Sequence, residues 1–165
     1  MTISRRSFCL TALATLSYPT FSRAKEVIDL EWPDLLPADA TEAKNPLRGL
    51  LSHDEAAPAA SQPISTGVKS DWNGQIVRLS GFVVPLDYEG TGLTAFLLVP
   101  YVGACVHVPP PPANQLVLVS TERPYENEGL FSAVTVTGMF GTASISTQLA
   151  EVGYALSADK ITRYR

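Results

Sequence analysis

QIVRLSGFVVP, residues Gln75 to Pro85, decides the fold. The run is rich in β-branched residues, follows a turn signal at Asn73-Gly74, and carries Gly81 where a strand bends or bulges. Four more runs of this kind follow. LTAFLLVP (Leu93 to Pro100) is continuously apolar and short, as a strand buried on both faces is. QLVLVS (Gln115 to Ser120) reads as a third strand. In SAVTVTGM (Ser132 to Met139), Val134 and Val136 alternate with Thr135 and Thr137, the pattern of a half-buried strand. Gly153 to Leu156, running on towards Ile161, supplies the last, and Ser144 to Glu151 reads as a helical turn before it. Five short strands with glycine-marked bends predict a mainly β domain, a small five-stranded OB-like barrel, with a β-sandwich as the alternative.

Upstream the pattern changes. Residues 25–70 read as a short helical or irregular lead-in: a turn at WPDLLP (Trp32 to Pro37), a short helix over Ala38 to Leu51 interrupted at Asn45-Pro46, then a linker-like mixture of Ala, Pro, Ser and Gly from Asp54 to Gly67. The barrel then occupies 71–165. Residues 1–24 have the layout of an export signal. Arg5-Arg6 precede the apolar stretch Phe8 to Leu16, and small residues follow at Ser22-Arg23-Ala24. The Ser4 to Leu10 context points to the twin-arginine route and so to the periplasm.

Removing that leader changes the charge and the cysteine count. The 165-residue chain has 12 basic and 16 acidic residues, and the leader holds three of the basic ones (Arg5, Arg6, Arg23) and none of the acidic. Nine against 16 remain, a net charge of −7. A surface of that sign repels phosphate backbones, so no nucleic-acid partner is expected. No apolar run of the mature chain approaches the roughly 18 residues of a membrane span. Cys9 leaves with the leader, and Cys105 is the single thiol that remains. In an oxidising compartment it needs burial, a metal or a partner.

Cys105 lies in PYVGACVHVPPPPANQ, Pro100 to Gln115. If 101–108 is extended, Tyr101, Gly103, Cys105 and His107 share one face, with Val102, Ala104, Val106 and Val108 on the other. A thiol and an imidazole two residues apart can share a zinc or copper ion. Pro109, Pro110, Pro111 and Pro112 favour a stiff polyproline II rod behind them, and the amides of Asn114 and Gln115 are placed to orient an imidazole. Two ligands do not close a tetrahedral site. Asp87 and Glu89, in a Gly-rich loop between the first two strands, and His53, the only other histidine, are the candidates for the rest. Other readings of Cys105 stay open: a buried structural thiol, a redox or partner-linking thiol, and a nucleophile with His107 as base. For the last, no third residue orients the base, so the reading leans away from an enzyme.

With these residues assembled, the chain resembles a family of small exported bacterial proteins described as a domain of unknown function. The resemblance rests on GFVVPL (Gly81 to Leu86), FLLVPYVGACVHVPPPPANQLV (Phe96 to Val117) and, less strongly, WPDLLP. It implies an OB-type barrel found beside ABC transporter components and other periplasmic proteins linked to zinc. That favours a zinc- or copper-binding accessory role, with an interaction module of a periplasmic transporter complex as the alternative. The His-rich tract common in zinc scavengers is missing from this sequence.

Overall fold

The computed structural model describes residues 26–37, 62–105 and 109–164. Six strands follow in chain order: β1 (Val27–Leu30), β2 (Gln75–Glu89), β3 (Gly92–Val99), β4 (Val117–Glu126), β5 (Ala133–Ser146) and β6 (Glu151–Arg163). β2 pairs antiparallel with β5 through its first half, Gln75 to Phe82, and with β3 through its second, Phe82 to Glu89. β3 pairs antiparallel with β4, β4 runs parallel to β6, and β6 returns antiparallel to β5. The result is a closed, mixed five-stranded barrel, as the strand pattern predicts, with β1 added in parallel beside the first half of β2.

Each of the five expected strands is present, and most run longer than their apolar centres. β2 continues to Glu89 and β4 to Glu126, beyond the burial that made their centres readable. The helical turn expected over Ser144 to Glu151 is absent. β5 runs to Ser146, and the chain reverses over 147–150, where Thr147 Oγ1 accepts from Ala150 N at 3.0 Å and donates to its carbonyl at 2.8 Å. The helix expected over Ala38 to Leu51 lies outside the described residues. No helix among the described residues is long and apolar enough to cross a membrane.

Alternation along the strands splits the apolar residues between two clusters. Inside the barrel lie Val77, Leu79, Val83, Phe96, Leu98, Val117, Val119, Val134, Val136, Phe140, Tyr154 and Leu156. Outside it lies a second cluster around Val84, Leu97, Val99, Leu116 and Val152. Phe96 and Leu98 of β3 point inward and Leu97 and Val99 outward, which accounts for its unbroken apolar run.

The lead-in is part of this core. A 3₁₀ turn at Trp32–Leu35 puts Leu35 fully into the inner cluster. The Trp32 indole N–H donates to the Ser80 carbonyl at 2.8 Å and its ring lies over Gly81. A Cβ at Gly81 would fall 3.0 Å from Trp32 Cζ2 and 2.8 Å from the Val99 carbonyl oxygen, so only glycine admits this contact. Tyr154 does the rest. Its ring stacks on Phe140 inside the barrel, 5.1 Å between centroids, and its hydroxyl reaches the lead-in, donating to the Leu35 carbonyl at 2.8 Å and accepting from Lys69 N at 2.7 Å. Burial pushes this phenol's pKa up, with the Lys69 N–H bond opposing and Asp71 adding to the rise.

Tyr154→Phe keeps the ring but leaves the buried Leu35 carbonyl without its donor. It is expected to cost about 1–3 kcal/mol. The check is a lower denaturant midpoint at unchanged slope, with faster proteolysis of the lead-in than of the barrel.

Candidate functional site

Between β3 and β4 the chain folds back over the outer cluster instead of continuing as a strand. Tyr101 to Gly103 is a turn, with Gly103 at φ 94°. Ala104 is fully buried and Cys105 follows at φ 65°, a left-handed conformation that L-residues seldom adopt. Over 101–105 this corrects the extended strand expected from sequence, while 106–108 lie outside the described residues. Two left-handed residues, at 103 and 105, reverse the backbone, so the alternation that would align Tyr101, Gly103, Cys105 and His107 on one face is broken before Cys105. His107 and His53 lie outside the described residues.

Cys105 packs with Ala104 against the outer cluster, together with Phe82, Leu86, Leu118, Phe131 and Ile145. The thiol is half-buried and free. Burial pushes its pKa up to about 11. The Tyr101 phenol is raised as well, by burial first and then by its neighbour Cys105, which places the two acidic groups beside each other. Phe131, the other non-glycine residue at positive φ among the described residues (φ 59°), reaches the same cluster from the β4–β5 connection; its N–H donates to the Val83 carbonyl at 2.8 Å. Neither strained position was legible beforehand, because nothing in residue type marks a cysteine or phenylalanine for positive φ.

The tetraproline and the amides after it fasten this segment to the lead-in. Pro111 is buried, and its carbonyl accepts from Gln62 Nε2 at 2.9 Å. The Gln62 amide also pairs with the backbone at the head of β6, donating to the Glu151 carbonyl and accepting from its N–H, both at 2.8 Å. Pro112 has φ −53° and ψ 152°, close to polyproline II, and starts a short 3₁₀ turn over Ala113–Gln115. Asn114, 1% exposed, donates to the Gly67 carbonyl at 2.9 Å and to Thr66 Oγ1 at 3.2 Å, while its Oδ1 has no partner among the described residues. Gln115 donates to the carbonyls of Trp32 and Asn114, both at 3.0 Å. Between them the two amides spend their donors on three backbone carbonyls and the Thr66 hydroxyl. Gly153 of β6 passes so near this turn that a Cβ there would sit 2.7 Å from the Ala113 carbonyl oxygen.

Asp87 and Glu89 are not in a loop. They lie on the exposed end of β2, where Asp87 is paired with Ala95 and Glu89 with Gly92; Asp87 Oδ1 accepts from Tyr88 N at 2.9 Å. Among the described residues no three His, Cys, Asp or Glu side chains come together as a metal site would need.

The model of the family described as "Protein of unknown function (DUF3299)" matches residues 32–163. The chain belongs to the DUF3299 family. WPDLLP, GFVVPL and the Pro100 to Gln115 segment all fall inside the matched residues. The chain is also similar to the crystal structure of a DUF3299 family protein from Pseudomonas aeruginosa PAO1, at 38% identity and a TM-score of 0.68, over 87% of this chain and 98% of that one. No curated protein matches it.

Two measurements probe Cys105. Alkylation follows the thiolate, so the folded protein's rate should climb through pH 10 without levelling, whereas in denaturant it levels near the ordinary thiol pKa of about 8.5. Since the folded value lies above the unfolded one, the thiol's contribution to stability is lost as pH rises towards 11. A plateau near 9 in the folded state would mean the sulfur is solvated. Separately, Cys105→Gly should be more stable than Cys105→Ala by about 1 kcal/mol in denaturant melts, because glycine adopts positive φ without strain.

Proposed function

We propose that this DUF3299 protein is an exported, non-catalytic accessory protein that holds a zinc or copper(I) ion through Cys105 and His107. The observation that carries the reading is the state of Cys105. The lone thiol beyond residue 24 sits half-exposed at φ 65°, between Gly103 at φ 94° and the tetraproline, with the Tyr101 phenol next to it. Strain of that kind persists where the surroundings over-determine it, and it concentrates at functional positions.

The thiol's chemistry narrows the choice. Held protonated up to about pH 11, it is a poor nucleophile and exchanges slowly with disulfides. A soft or borderline metal ion instead displaces the proton and binds the thiolate. The residues present supply one sulfur from 105 and, by sequence spacing, one imidazole from 107; water or a second molecule completes the shell. A periplasmic site of action and service to an ABC transporter belong to the same proposal. They rest on the Ser4 to Leu10 leader and on the family resemblance.

An interaction module, with Cys105 merely structural, is the second reading. It is favoured by the exposure of Val102 at 60% and Tyr101 at 43% on the turn, an apolar knob above a covered cluster.

Gently purified protein should bind zinc or copper(I) one to one in chelator competition. Cys105→Ser and His107→Ala should each abolish binding with the β circular dichroism intact. Because the ion replaces a thiol proton, affinity should rise about tenfold per pH unit above neutrality. Binding that survives both substitutions rejects the metal reading. Loss of partner capture in Val102→Asp, with no metal bound by the parent protein, selects the module.

A further inference from the structure

We infer that a second site lies away from the Cys105 segment: a groove of about 450 Å³ on the outside of the barrel that takes a saccharide unit of a neutral glycan. Its size is that of a small-molecule pocket. Trp32 and Glu31 from the lead-in, Asp29 from β1, Arg78 and Ser80 from β2, and Tyr164 beyond β6 line it.

Two aromatic residues border it, Trp32 partly buried with its ring over Gly81 and Tyr164 exposed. Trp32 is fixed at its edge by the bond from Nε1 to the Ser80 carbonyl, 2.8 Å. Tyr164 is pinned through its backbone, whose N–H donates to the Ala133 carbonyl at 3.0 Å, while its side chain is 61% exposed. With its backbone held and its ring exposed, Tyr164 offers an aromatic face at the border of the groove. Aromatic faces of this kind suit the C–H-rich faces of pyranose rings.

The polar lining selects within that class. Arg78 Nη1 meets Asp29 Oδ1 at 2.7 Å, both side chains well exposed, so the pair presents spare N–H donors beside spare carboxylate lone pairs. Glu31 adds a carboxylate that makes no ion pair among the described residues. An anionic ligand would meet two carboxylates. A wholly apolar one would strip water from the ion pair and offer nothing in return. Sugar hydroxyls donate and accept at once and satisfy both halves of the pair. The Ser80 hydroxyl is already engaged with Thr135 Oγ1 at 2.9 Å, so the Asp29–Arg78 pair and Glu31 carry the recognition.

The test titrates the full mature protein with chitotriose and cellotriose to about 10 mM, a range that detects millimolar binding, with calorimetry and amide chemical shifts as readouts. Saturable shifts at residues around Trp32, Arg78 and Tyr164 are expected for at least one of the two. Tyr164→Ala should weaken that binding roughly three- to tenfold and Tyr164→Phe restore it. Arg78→Gln, an exposed change that leaves the core alone, should weaken it as well. The inference is overturned if neither trisaccharide shifts the groove, if Tyr164→Ala binds as the parent does, or if trilysine saturates the groove more tightly than either sugar. None of these outcomes bears on metal binding at Cys105.

Discussion

One phenol holds the two halves of this protein together. The Tyr154 ring belongs to the barrel core, yet its hydroxyl satisfies a carbonyl from one lead-in segment and an amide from another. Without it, the buried backbone of Leu35 has no donor, and a buried polar group without a partner is among the larger single costs a small domain can carry. Once Leu35 and Lys69 are fixed, Trp32 lies on Gly81, Gln62 and Asn114 reach their partners, and the turn after the tetraproline is clamped between lead-in and β6. The lead-in therefore works as an outer layer of the barrel.

That clamp explains the odd path of the Pro100 to Gln115 segment. Five-stranded barrels of this type commonly use the outer face of their second and third strands, here β3 and β4, to take ligands. In this chain that face carries Leu97, Val99 and Leu118, and Ala104, Cys105 and Leu116 close over it. The face has become a second hydrophobic core. Cys105 sits at its rim, which gives the thiol its raised pKa and its half exposure together. A groove beside the first half of β2, lined in part by Arg78, Leu79 and Ser80, stays open instead.

The strand pattern was legible because period-2 alternation and unbroken apolar runs report burial directly. It was readable at β2 from β-branched residues after a turn, at β5 from alternation, and at β3 from a run too short for a helix. The 144–151 region misled, since Ala, Ser, Thr, Gln and Glu suit a helical turn as well as a strand end. Its state was decided by pairing, with Ile145 opposite Val152. The candidate site was legible only as chemistry. The presence of thiol, imidazole and prolines could be read from the letters, while their facing depended on backbone angles at Gly103 and Cys105 that the letters do not encode.

Sequence by itself determined the five strands, the mainly β class, the turn at Asn73-Gly74, the acidic balance of the chain and Cys105 as the one thiol beyond residue 24. These follow from local periodicity and composition, which act over a few residues or over the whole chain at once. Tertiary structure alone decided that β1 joins the sheet, that Leu35 enters the core, that Asn114 and Gln115 face the lead-in, and that Cys105 turns left-handed onto an outer cluster. Each of these depends on contacts between residues far apart in the chain, up to the 119 that separate Tyr154 from Leu35. No local preference carries information over that distance; only the closed barrel brings such groups within a hydrogen bond of one another.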